Sequence, residues 1–368
     1  MKAVVLVNLG SPSSPSVPHV RTYLKEFLSD PNVISIPWLP RFLLVYGIIA
    51  PIRSFRSSRL YRKLWREEGF PLITHSRELY RALKAELKPE ADAKAGAKPE
   101  PGAKPELFLA MRYGEPSLKD LLRRLRSSEF EELLVVPLYP QFASSTTGSL
   151  ISLLQKELEG STLYDSTRLV PHFHQEEEFI SLWQKKILQE YPSQYDAVVF
   201  SYHGVPVRQT EQSHPGKSCS ELQCESVYGR ENLHCYRSAC FQTTRSVVSG
   251  LGLDPGRVHT AFQSRFGRNW LEPFTMDTLE EILRRGGRKV LVISPAFVAD
   301  CLETEIEIGE EYCERFLHAG GETLTLVPSL NADPGWVDFL AGMIRDTTNN
   351  TIPLSMAHPL TGYAPELL

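Results

Sequence analysis

The chain predicts an α/β fold of two Rossmann-like domains, each a parallel sheet flanked by helices. Short apolar, β-rich runs alternate with longer amphipathic stretches, the pattern of a parallel sheet covered by helices. The series restarts after about residue 165, and 368 residues suffice for two domains of ordinary size.

Taken in order, strands are expected over 3–7, 107–111, 133–138, 197–202, 290–294 and 324–327. Helical stretches fill the gaps; the one over 276–285 stops at Gly286-Gly287. The first domain is expected over 1–165 and the second over 166–348, with a tail over 349–368. One stretch, 88–106, is built from Pro, Ala, Gly, Lys, Glu and little else, with no aromatic or β-branched residue. It cannot bury enough apolar surface to offset its ordering entropy, so a disordered surface insertion is expected there.

Composition excludes several functions. Apolar content of 42% and charged content of 23% are globular values, and a formal net charge of −4 argues against a nucleic-acid partner. The N-terminal apolar run lacks a small-residue cleavage site and reads as the first strand, which predicts a cytoplasmic protein. No run approaches the ~20 apolar residues of a membrane-spanning helix. The apolar stretch 42–52, followed by Arg53, Arg56, Arg59, Arg62, Lys63 and Arg66, could lie peripherally on an anionic membrane surface. It could equally be a pocket lip beside a solvated basic helix.

Chemistry concentrates where strands end. One buried run stops at His203-Gly204, and another runs through 294–297 to Asp300 and Glu303. Ligands of open α/β sheets bind outside the carboxyl ends of the strands, so these groups are placed to hold a metal ion or move protons. Glu307 and Glu311 follow Glu303 at i+4 and i+8, forming an acidic row on one helix face. Cys219, Cys224, Cys235 and Cys240 form a C-x4-C-x10-C-x4-C pattern in the loop over 211–240. Clustered thiols in a cytoplasmic chain point to metal, and four thiolates suit either zinc or an iron–sulfur cluster.

Seven strings in order resemble the ferrochelatases, which insert ferrous iron into a porphyrin. They are VNLGSP at 7–12, FLSDPNV at 27–33, MRYGEP at 111–116, PLYPQF at 137–142, SSTTG at 144–148, SYHGVP at 201–206 and FQSRFG at 262–267. The resemblance implies a porphyrin cleft between the domains, with His203 and Glu303 facing each other across the macrocycle and sharing the roles of proton acceptor and iron ligand, in either division. It implies protoporphyrin IX and Fe²⁺ as substrates, and Asp300 as a residue supporting Glu303. It places Leu9, Arg112, Tyr113, Tyr139, Gln263, Ser264 and Trp270 near the porphyrin. The segment before Trp270 is about one residue shorter than the family pattern. In some members a comparable acidic row on a widened helix is thought to guide metal inward. Some also carry a [2Fe–2S] cluster, and here its ligands would be the four internal cysteines. The long lip after Asp30 argues against a cobalt or nickel chelatase. A porphyrin or metal carrier with the same cleft is the alternative.

Overall fold

The computed structural model describes residues 1–88, 105–267, 269–347 and 350–363. The insertion expected over 88–106 lies outside the described residues except at its ends, as does the close of the tail. Among the described residues the main strands, in chain order, are β1 (Lys2–Asn8), β2 (Glu106–Met111), β3 (Glu132–Pro137) and β4 (Thr167–Leu169). They continue with β5 (Ala197–His203), β6 (Val258–Gln263), β7 (Lys289–Ile293), β8 (Thr323–Leu326) and β9 (Ile352–Pro353).

Two main sheets form, as the alternating pattern predicts, beside a small antiparallel pair in the tail. The first has the order β2-β1-β3-β4-β9 and the second β6-β5-β7-β8. The pairings β1–β2, β1–β3, β3–β4, β5–β6, β5–β7 and β7–β8 are all parallel. The first sheet reaches just past residue 165, and the tail strand β9 returns to pair antiparallel with β4.

Strand alternation divides the core. Val4 and Leu6 of β1, with Val198, Phe200 and Tyr202 of β5, face one shared apolar cluster. Ala3, Val5 and Val7 face a second cluster, and Ala197 and Val199 a third. The shared cluster is filled by Leu79 and Leu83, Trp183 and Ile187, Val247, and Trp336 and Leu340. These come from helices Pro71–Glu86, Glu177–Gln189, Tyr236–Ser249 and Pro334–Arg345. The two sheets are therefore packed through a common helical layer, which fixes their strand ends relative to each other.

A fourth cluster joins Val20, Leu24, Val45, Tyr61 and Leu64 of the first half to Ile306 of the second. The basic lip is one continuous helical run, Trp38–Phe42, Leu43–Ile49 and Ala50–Leu64, whose middle section is widened to π geometry. Its outer face exposes Trp38, Phe42, Leu43, Ile48, Ile52 and Phe55. No helix among the described residues is long and apolar enough to cross a membrane.

Candidate functional site

His203 ends β5 and pairs across the sheet with Gln263, the last residue of β6. Its Nδ1 lies 2.7 Å from the Gly204 carbonyl. A carbonyl only accepts, so Nδ1 donates, and in the neutral tautomer Nε2 is the free acceptor. Tyr236 donates its hydroxyl to the His203 carbonyl at 3.0 Å. Gly204 has no room for a side chain: a Cβ there would lie 2.7 Å from the Gln263 carbonyl oxygen and 3.4 Å from the Trp270 ring. Trp270 therefore packs directly against the residue following His203, despite the shortened segment before it.

Gln263 ties the two acid–base candidates together. Its Oε1 accepts from Ser201 at 2.8 Å, and its Nε2 donates to the Glu303 carbonyl at 3.0 Å. Glu303 sits in the first turn of Leu302–Tyr312, a helix of π geometry. Its carboxylate is close enough to Tyr23, Tyr61 and Cys301 to add to the upward push that burial gives each of them. All three thus remain neutral hydrogen-bonding groups near neutral pH. Asp300 supports this turn from behind, accepting from Thr304 at 3.2 Å, Ser329 N at 3.2 Å and Asn331 at 2.7 Å.

The acidic row divides by environment. Glu307 accepts three hydrogen bonds: from Ser264 N at 2.7 Å, Ser264 Oγ at 2.5 Å and Tyr312 at 2.6 Å. Ser264 has a φ of 61°, the left-handed region, so Glu307 clamps a strained residue at the end of β6. Glu311 lies further out and is half-buried. The neighbouring Glu305 and Glu310 pair with Arg66 and Lys63 of the lip at 2.7 Å each, which docks the lip on this helix.

The ends of the first sheet carry the remaining residues expected near the porphyrin. Leu9 follows β1, and its carbonyl accepts from Tyr113 N at 2.9 Å. Gly10 makes this approach possible, with a φ of +106° and an ideal Cβ only 1.8 Å from the Tyr113 carbonyl oxygen. Tyr113 itself is 1% exposed, a core residue with no surface to offer a ligand. Tyr113 donates its hydroxyl to Asp30 at 2.9 Å, Ser149 donates to Asp30 at 2.6 Å, and Arg112 forms an ion pair with the same carboxylate. Burial opposes the charge on Asp30, but the Ser149 bond and the Arg112 guanidinium prevail and hold its carboxyl below the usual value. Sequence reasoning missed Asp30 as the hub, although it lies in a quoted string. Tyr139 is buried, and its hydroxyl has no partner among the described residues.

The cysteine loop departs from expectation. His214 Nε2 and the sulfurs of Cys219, Cys224 and Cys235 all lie within 4.8 Å of one another. Cys240, expected as the fourth thiolate, is not among them. Cys235 caps helix Tyr236–Ser249, and five residues along an α-helix turn a side chain by about 140° from its starting direction. Cys240 is thereby rotated into the shared core. His214 went unnoticed in the sequence, where its only signal is a place five residues before Cys219.

Two parallel-sheet halves, joined through a common core, with a His at one strand end tied through Gln263 to a Glu in a helix first turn, define a two-domain α/β enzyme of the chelatase type. The ferrochelatase family model matches residues 1–348, and the chain belongs to the ferrochelatase family. It is 39% identical over 341 residues to the ferrochelatase of Pseudomonas savastanoi pv. phaseolicola, covering 92% of this chain and 96% of that protein. It is 38% identical over 351 residues to the ferrochelatase of Coxiella burnetii, covering 93% and 92% respectively. Among solved structures, the sirohydrochlorin chelatase SirB from Bacillus subtilis subspecies spizizenii aligns at a TM-score of 0.46 and 11% identity, covering 95% of this chain and 96% of that one.

Proposed function

We propose that this protein inserts Fe²⁺ into protoporphyrin IX to form protohaem, with His203 and Glu303 as its acid–base and metal-handling pair. The observation that carries the reading is Gln263, which joins the β5 and β6 strand ends to the turn bearing Glu303. Metal insertion must remove two pyrrole protons from a flat, weakly basic ring, so it requires proton acceptors and a ligand that releases iron readily. His203 offers Nε2, its other ring nitrogen being held by the Gly204 carbonyl, and Glu303 offers a carboxylate. Neither forms a soft site that would trap Fe²⁺.

Trp270, packed on Gly204, and Leu9, just past β1, supply apolar surface for the macrocycle. Tyr113 and Arg112 support the end of the first sheet through Asp30. Glu303 and Glu311 mark an acidic route for metal along the widened helix, while Glu307 braces Ser264. The exposed apolar lip with its basic flank supports peripheral contact with an anionic membrane surface, a source of an insoluble porphyrin. A [2Fe–2S] cluster held by four cysteines finds no support in the residues, because Cys240 faces away from the other three.

Anaerobic turnover tests the proposal. Catalytic conversion of protoporphyrin IX to protohaem by the purified chain is the expected result. Stoichiometric porphyrin binding without turnover would make it a carrier.

A further inference from the structure

We propose that His214, Cys219, Cys224 and Cys235 hold a single tetrahedral zinc ion that braces the loop following His203, and that Cys240 takes no part. The distances carry the argument. The Cys219 and Cys235 sulfurs are 3.7 Å apart, and His214 Nε2 lies 3.6 Å from Cys219 and 3.9 Å from Cys224. With zinc–sulfur bonds near 2.3 Å and zinc–nitrogen bonds near 2.05 Å, a tetrahedron has edges of about 3.8 Å between sulfurs and about 3.6 Å between sulfur and nitrogen. Those three separations match these edges, and all four donor atoms lie within 4.8 Å of one another. A two-iron cluster places a second metal and bridging sulfides between its donor pairs, which spreads them further apart than a single ion does.

The surroundings prepare the same site. His214 Nδ1 is 2.8 Å from the Lys217 carbonyl. Nδ1 thus donates to that carbonyl and Nε2 is turned toward the sulfurs, the usual outer support of a zinc-bound imidazole. Asn232 donates to Cys224 Sγ at 3.5 Å, and the Thr210 hydroxyl lies 3.4 Å from Cys219 Sγ. Both suit thiolates. His214 and the three cysteines are all buried, and these cysteines form a small cluster of their own with Leu222. Four protein donors with no open position make a structural site, closed to substrate iron.

Its place in the fold gives it a task. Cys235 is the residue before helix Tyr236–Ser249, and Tyr236 holds the His203 carbonyl. An ion at this point fixes the start of that helix, and through Tyr236 the end of β5. The Cys240 thiol lies in the core shared by both sheets, a position filled for packing.

The experiment uses the full-length protein purified without chelator from cells supplied with both iron and zinc. Elemental analysis is expected to give one zinc per chain, with no labile sulfide and no visible chromophore. X-ray absorption at the zinc edge should report one nitrogen and three sulfur neighbours, a reading that needs no variant to fold. His214→Ala and Cys224→Ser should lose the ion, while His214→Cys and Cys240→Ala should keep it, and metal loss should lower the melting temperature. Two irons with labile sulfide would overturn the proposal, as would a chain free of bound metal. Loss of metal in Cys240→Ala together with retention in His214→Ala would overturn it equally.

Discussion

Lowering the pH from 7.5 to 5.0 should destabilise this protein partly through His172 and His174, which lie on the segment joining the two sheets. The His172 and His174 rings are 5.2 Å apart, with His234 5.7 Å from His172 and Tyr228 5.5 Å from His174. His172 Nε2 and both ring nitrogens of His174 are buried without a hydrogen-bond partner among the described residues. Burial pushes His172 down to about 4, and burial together with the His172 charge pushes His174 well below its usual value. Above about pH 6.5 folded and unfolded chains both hold neutral imidazoles, so the stabilising contribution is complete. Below that, the unfolded chain takes up protons that the folded chain refuses, and stability is lost as pH falls from about 6.5 through about 4 for His172. Linkage gives a loss of about 2 kcal/mol from His172 alone by pH 5. Urea unfolding at the two pH values, for the natural protein and for His172→Gln, measures it. The variant should lose less stability on acidification by roughly that amount. An identical loss in both proteins would refute the reasoning.

Three further outcomes follow from the same structure. Asp30→Ala should destabilise by about 3–5 kcal/mol in urea unfolding, because it leaves the buried Arg112 guanidinium without its counter-charge. Gly204→Ala should cost about 1–3 kcal/mol, since its Cβ meets the Gln263 carbonyl, and should lower turnover more than porphyrin affinity. Replacing Trp38 and Leu43 together by Ser should leave stability nearly unchanged, as both are exposed, yet reduce sedimentation with anionic vesicles several-fold.

Strand ends were the legible part of this chain. Continuous apolar runs announced β1, β5 and β7, because strands buried on both faces admit little else. β6 carries no such signal: its residues 258–260 are half-exposed at the sheet edge, and Val-His-Thr-Ala offers no unbroken apolar run. Spacing placed Glu303, Glu307 and Glu311 on one helix face. It carried no sign that Glu307 would accept three hydrogen bonds around Ser264, because those partners are distant in sequence and the π geometry leaves no local mark. Asp30 was invisible for the same reason: its partners Arg112, Tyr113 and Ser149 lie 82 to 119 residues away. Counting cysteines found the cysteine cluster but selected Cys240 over His214, since spacing says nothing about which way a helix turns a thiol.

The most direct test of the central claim is single-turnover insertion of Fe²⁺ into bound protoporphyrin IX under anaerobic conditions, comparing the natural protein with His203→Ala. Loss of a positioned acid–base group typically costs 10²–10⁴-fold in rate. The account predicts a fall of about that size while porphyrin binding persists. An unchanged rate in His203→Ala would contradict it and move the chemistry away from the end of β5.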